Sequence, residues 1–352
     1  MVAERADGVA AIILAGQLTR GRSSLDSAGP RSLLTVGHAR WLHLVIDQCV
    51  SAGVTSIGVC VTELPQRLAA ELEPWVERVD LRVLVDGVPR GSAGCCRDAV
   101  ELFDADAFVV VEGSAHPRLP VAELLAHHRR GRAALTLAVS ECGDGAVHAG
   151  GVQATPVGVA VMSAECLRQV PDVGFQDLKE GLIPRALAEG RSGGTFRVER
   201  ESPRIRDLET YLYSQRLLLE DTIGAGVGVF EAWGSAPRAD SGVAGDWPGV
   251  EFIGPVLVGA GTRIGSGSIL VGPCVIGPGC TLDEGVVVAG SVVREGCRVG
   301  SRSVVRNSLL LPGTALDSGV DRDREILLGA AAWGAVKRRS PGGSRAATRK
   351  EA

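Results

Sequence analysis

The sequence predicts an α/β domain with a mostly parallel sheet and helices on both of its faces, followed by a parallel β-helix. Three observations predict this. Short apolar runs alternate with helical periods between residues 9 and 221, a six-residue period begins at Val258, and a Gly-, Ser-, Pro- and Asp-rich stretch at 234–248 separates the two. Such alternation is the pattern of βαβ units, and a sustained hexad is the pattern of stacked coils. The 352 residues, 45% of them hydrophobic, suffice for two cored domains.

In chain order, strands are expected at 10–14, 56–61, 81–85, 107–111, 134–139 and 157–162, with helices at 41–52, 66–77, 93–102, 121–128 and 178–189. Ligands of such sheets lie outside the carboxyl ends of the strands, so the loops that begin near Ala15, Asp86 and Glu112 are the candidate site. In the second half Val258, Ile264, Leu270, Ile276, Leu282 and Val288 stand six apart. Four positions after the first five come Thr262, Ser268, Cys274, Cys280 and Val286, all small or β-branched. After a one-residue slip the period resumes at Val293, Val299, Val305 and Leu311. One aliphatic and one small inward residue per hexad fit about three coils of roughly 18 residues each.

A net charge of −4 gives no broad basic surface for nucleic acid or anionic lipid. Residues 1–8 carry charges, and the apolar run at 9–15 is of strand length, so a cytoplasmic location without a transmembrane segment is expected. The nine cysteines form no CxxC pair and have no histidine at ligand spacing, which reads as small buried hydrophobes in a reducing compartment. The apolar segment at 326–336 is too short to span a bilayer and reads as a short helix packing on the coils or on a partner; a basic tail expected to be disordered follows it.

Several motifs carry a resemblance. Ile12-Ile13-Leu14-Ala15-Gly16-Gln17-Leu18-Thr19-Arg20 is similar to a strand running into LAGGxGTR, and Pro30-Arg31-Ser32-Leu33-Leu34-Thr35-Val36 to PKPLLPV. Ser51-Ala52-Gly53 ends a helix as AG, Arg90-Gly91-Ser92-Ala93-Gly94 mirrors a GTAG loop, and Val111-Glu112-Gly113-Ser114 stands where a strand ends in NGD. Asp177-Leu178-Lys179 and Asp207-Leu208-Glu209-Thr210-Tyr211-Leu212 are similar to KDLIP-like and PEDYL-like segments. Together these resemble the sugar-1-phosphate nucleotidyltransferases, which make NDP-sugars from an NTP and a sugar-1-phosphate and often carry a left-handed β-helix of hexapeptide repeats.

The resemblance implies a Rossmann-like nucleotidyltransferase domain at 9–221, a linker at 222–250, a left-handed β-helix at 251–320 and a tail at 321–352. It implies that Leu14, Ala15, Gly16, Asp86, Gly91, Ser92, Ala93 and Glu112 hold nucleotide and that Arg20 and Arg31 act on phosphates. The chain departs from the pattern at the two aspartates that hold Mg²⁺. Ser114 replaces one, Arg204 stands at the other, and the glycine loop is one residue short at Gln17. Arginine repels a divalent cation, so no metal ligand is assigned, and Glu112 is the one substitute within reach. With no lysine before Lys179, the phosphate-segment lysine can only be Arg31.

The resulting expectation is a regulatory or scaffold relative that binds nucleotide or NDP-sugar, or sugar-1-phosphate, as a homo-oligomer or with an active relative, with surface-polysaccharide synthesis as the expected setting. The alternative is an active synthase using Mg²⁺ with an altered metal site. Acyl transfer ranks lower, because all six histidines precede the coils. Asp86 reads as a ribose or base contact or as a solvated turn residue, His116 as an exposed loop residue, and His127-His128 as a solvated helix end.

Overall fold

The computed structural model describes residues 8–16, 24–62, 66–86, 90–140, 147–149, 152–224, 226–230, 238–239 and 247–329. Its first half is built on strands β1 (Val9–Leu14), the β2–β3 hairpin (Thr35–Val36, Ala39–Arg40), β4 (Ser56–Val61), β5 (Asp80–Val85), β6 (Ala107–Glu112), β7 (Leu135–Ser140), β8 (Val147–Ala149), β9 (Val152–Ser163) and β10 (Gly193–Arg197). The helices are α1 (Trp41–Ser51), α2 (Gln66–Val76), α3 (Gly91–Val100), α4 (Val121–Gly131), α5 (Ala164–Arg168), α6 (Ile183–Ala188) and α7 (Leu208–Ile223). A π turn, Leu178–Leu182, leads into α6.

The main sheet runs in the order β10-β7-β9-β6-β1-β4-β5, with β8 on β9. All neighbours on this path are parallel except β9, which is antiparallel to both β6 and β7. Strand alternation divides the core. Ala11 and Ile13 of β1 face the cluster built with α1, α2, α4 and α7, while Ala10 and Ile12 face α3, α5 and α6. The chain leaves β1 for β4 on one side and reaches β6 on the other, so a topological switch point opens between the carboxyl ends of β1 and β6.

α7 starts with a capping box: Asp207 accepts from the Thr210 amide at 2.9 Å, and Thr210 Oγ1 accepts from the Asp207 amide at 3.1 Å. Tyr211 Oη and Gln215 Nε2 then both donate to the buried Thr35 carbonyl, at 2.8 and 2.7 Å, pinning the helix under the hairpin.

The second half consists of three sheets of short parallel strands that the chain visits in rotation, compatible with the coils the hexad predicts. Val258 pairs with Ile276 and Leu270 with Val288, a repeat of 18 residues. From there the repeat is 17: Ile276 pairs with Val293, and Val293 with Leu310. The missing residue always falls at the same corner, where Gly290, Asn307 and Arg324 take φ of 53°, 45° and 56°. Gly254, at the same corner of an 18-residue repeat, is left-handed too, with φ 76°.

Several expectations are corrected here. The period steps by five a second time, so Leu310 and not Leu311 enters the coil interior, and Leu311 joins the other core. One sheet of the stack holds five strands, more coils than the three expected. The 222–250 stretch is no plain linker, because Val227–Phe230 pairs in parallel with Val256–Gly259; and Asp321–Asp323 and Ile326–Leu327 carry the pairing past residue 320. Ile326 and Leu327 are thus strand rather than helix, and residues 330–352 lie outside the described residues. The small inward residues are buried, and Thr262 Oγ1 and Ser268 Oγ bond carbonyls of Gly277 and Asp283 at 2.9 and 3.2 Å.

The two halves share a core. On one face of the stack Leu257, Val275, Val292 and Leu309, the residues that alternate with the inward ones, pack in a single cluster with α1, α7 and the hairpin. Among the described residues no helix is long and apolar enough to cross a membrane. Leu309→Ala empties a fully buried position in that joint core. It should cost about 2–5 kcal/mol in urea denaturation, with both halves still unfolding in one transition. A separate early transition of the coils would show that the joint core does not couple them.

Candidate functional site

The switch point holds a cleft of about 180 Å³ lined by Leu14, Ala15, Gly16, Arg31, Ser92, Glu112, Gly113, Ser114, Asp177, Leu178 and Lys179. Leu14 and Glu112 are register partners, which sets the two strand ends level. Gly113 lets the chain turn there, donating to the Leu14 carbonyl at 3.0 Å where an added Cβ would sit 2.8 Å from the same oxygen. A smaller cavity shares Leu14, Gly16 and Ser92 and adds Cys60, Thr62, Asp86, Gly91 and Cys95.

The two distant motifs around residues 90 and 177 are clamped to each other. Gln176 donates to the Arg90 carbonyl at 2.7 Å, and the Ala93 amide donates to the Gln176 carbonyl at 2.9 Å. Gly91 has φ +82°, and a Cβ on it would lie 2.3 Å from Gln176 O, so this approach requires glycine. Ser92 Oγ donates to Asp177 Oδ2 and accepts from the Leu178 amide, both at 2.9 Å. The other oxygen of Asp177 caps the π turn by accepting from the Lys179 and Glu180 amides at 2.7 and 3.0 Å. This capping places Lys179 over the cleft.

Ser114 and Arg204 come together. Arg204 donates through Nε to Ser114 Oγ at 3.1 Å and through both terminal nitrogens to Glu112, at 3.2 Å to Oε1 and 2.5 Å to Oε2. Lys179 Nζ reaches Glu112 Oε2 at 2.8 Å from the other side. The guanidinium lies over Gly158 of β9, where a Cβ would stand 3.3 Å from Arg204 Cζ. Burial works to raise the pKa of Glu112, but the Arg204 hydrogen bonds and charge, with Lys179, outweigh it and hold the carboxylate below its ordinary value.

This arrangement does not fit Mg²⁺. A magnesium site needs several oxygens free to turn toward the ion, whereas both oxygens of Glu112 and the hydroxyl of Ser114 already accept from cationic donors. Among the described residues no group of three or more His, Cys, Asp or Glu side chains could hold a metal ion.

Of the expected site residues, Leu14, Ala15, Gly16, Arg31, Ser92 and Glu112 meet in the cleft, and Asp86 and Gly91 line its extension. Arg31 is held toward the cleft by Asp26 at 3.5 Å and by the Arg206 carbonyl at 3.4 Å. Ala93 is fully buried, its amide belongs to the Gln176 clamp, and it lines neither cavity. Arg20 and Gln17 lie outside the described residues. Asp86 is neither solvated nor free: it is buried, accepts from the Arg90 amide at 2.9 Å and holds the approach to α3. Asp177 and Lys179 also line the cleft, beyond the residues that the resemblance assigns to it. The signal that could have found Lys179 is that it is the first lysine of the chain.

Two histidine expectations are corrected. His116 is 3% exposed, with Nδ1 2.6 Å from Ser214 Oγ of α7, and burial followed by the Arg118 charge lowers its pKa from 6.5 to about 4. His128 is buried against Thr136 at 2.9 Å, because α4 turns this position onto the sheet. A larger groove of about 860 Å³ near His116 takes in none of the expected site residues, and its Arg118 and Arg200 both pair with Asp221.

No protein-family model and no curated protein matches this chain.

A base whose folded pKa is depressed resists protonation in the native state, so its stability contribution is complete above pH 6.5 and is lost as pH falls toward about 4. His116→Gln should therefore flatten the fall in stability between pH 6.5 and 4, a window worth up to about 3 kcal/mol for this group. Identical pH profiles of denaturation midpoint for the two proteins would contradict the neutral, buried assignment.

Proposed function

We propose that this chain is a relative of the sugar-1-phosphate nucleotidyltransferases that binds nucleotide or NDP-sugar in the β1–β6 cleft without catalysing nucleotidyl transfer. It acts as a cytoplasmic regulatory or scaffold component of NDP-sugar metabolism. The observation that carries this reading is the pairing of Arg204 with Ser114 and Glu112 beside the Leu14–Gly16 turn. Transfer to the α-phosphate depends on positioning and on metal-assisted charge stabilisation. A cleft that keeps the glycine turn, Arg31 and the Gly91–Ser92 approach, yet fills the ion's place with a guanidinium, retains the parts that bind and lacks the parts that react.

The coils are read as a left-handed β-helix whose role is assembly with a second copy or an active relative. Acyl transfer is disfavoured because no histidine follows His148.

Calorimetry across NTPs, NDP-sugars and sugar-1-phosphates should show binding of at least one nucleotide ligand, with no pyrophosphate released from any NTP and sugar-1-phosphate pair. Arg31→Ala should weaken that binding about tenfold or more, since a charge-assisted phosphate contact contributes about 1.5–3 kcal/mol. Pyrophosphate release that disappears in Arg31→Ala would replace this reading with that of an active synthase.

A further inference from the structure

We infer that Arg204 and Lys179 together take the part of a divalent cation, so that the cleft accepts the diphosphate of a nucleoside diphosphate or its sugar ester free of metal. The inference rests on the ligand-binding reading above and adds how the phosphates are recognised. Two cations, Arg31 and Lys179, line the cleft beside the carboxylates Glu112 and Asp177; Asp26 pairs with Arg31, and Arg204 stands behind the lining, bonded to Glu112 and Ser114. Asp177 is engaged in capping its own turn and in holding Ser92. Glu112 is the single carboxylate that separates Lys179 from Arg204 opposite the Leu14–Gly16 turn.

The two cations differ in freedom, and that difference suits them to separate tasks. Arg204 is 11% exposed and fixed on three sides by Ser114, Glu112 and the bare Gly158 backbone, so its planar fork is ordered before any ligand arrives. Lys179 is 47% exposed, with only its backbone amide anchored by Asp177, so its ammonium can leave Glu112 for a phosphate oxygen. Glu112 then acts as an internal counter-ion. It keeps both cations in place in the empty cleft and yields Lys179 to a more highly charged anion while retaining Arg204. A Mg²⁺-chelated diphosphate would bring two further positive charges toward Arg204 and Lys179 and would have hidden the oxygens open to Lys179 and Arg31. Magnesium should therefore compete with the protein for the ligand.

The test is calorimetric titration of the full chain with the common nucleoside diphosphates and the matching monophosphates, once in EDTA and once in excess Mg²⁺. A diphosphate should bind in EDTA at least as tightly as in Mg²⁺, and more tightly than its monophosphate. Lys179→Ala, at a half-exposed position that leaves the fold intact, and Arg204→Ala should each weaken binding in EDTA about tenfold or more. They should affect the monophosphate less. The double variant Ser114→Asp with Arg204→Asp should invert the dependence and bind only when Mg²⁺ is present. Binding by the native protein that requires Mg²⁺ would overturn the inference and leave the ligand-binding reading standing. No binding of any diphosphate or NDP-sugar in either buffer would overturn both.

Discussion

The parallel pairing of β6 with β1, with Glu112 opposite Leu14, is the constraint on which the site depends. It brings a glycine turn and an acidic strand end to the same level, with nothing between them but Gly113. Because β6 is also the antiparallel partner of β9, the same pairing carries Gly158 under the cleft, and the missing side chain there is what admits the Arg204 guanidinium. A one-residue slip between β1 and β6 would turn Glu112 to the opposite face of the sheet and leave Arg204 without its carboxylate.

Arg204 is a part-buried arginine whose charge is well matched. Its donors find Ser114 Oγ and both oxygens of Glu112, so the cost of removing the charge from water is offset by hydrogen bonds to a charged partner. Removing Glu112 leaves Arg204 and Lys179 without the carboxylate they share. The positions read from sequence as two separate losses are therefore one interaction, a hydroxyl and a carboxylate arranged around a guanidinium.

The stack of parallel strands is not an appendage. Its repeat of inward aliphatic and small residues fills its own interior, while the alternate residues of one sheet close the core of the α/β half. α7, capped by Asp207 and bound to the Thr35 carbonyl, lies in that joint core, and the same helix supplies Ser214 to His116. The joint core and the loop that follows β6 are thus joined through one helix.

Much of the architecture was legible because local chemistry writes it directly. The βαβ alternation placed β1, β4, β5, β6 and β7 almost to the residue and the second half of β9, but gave no sign of β2, β3, β8 or β10; the hexad located the short parallel strands of the second half, because burial on one face enforces a fixed spacing. Leu14, Gly16, Arg31, Ser92 and Glu112, grouped in the sequence only by the family resemblance, line one cleft. What the sequence could not determine by itself is everything that depends on which distant groups meet. The Gln176 clamp on Arg90 and Ala93, the burial of His116 and His128, the joint core, and the conversion of Ser114 and Arg204 from two apparent defects into a cation seated on Glu112 all join residues brought together only by the sheet. Periodicity reports the average environment of a face. Hydrogen bonds between partners remote in the chain have no period, and tertiary packing alone decides them.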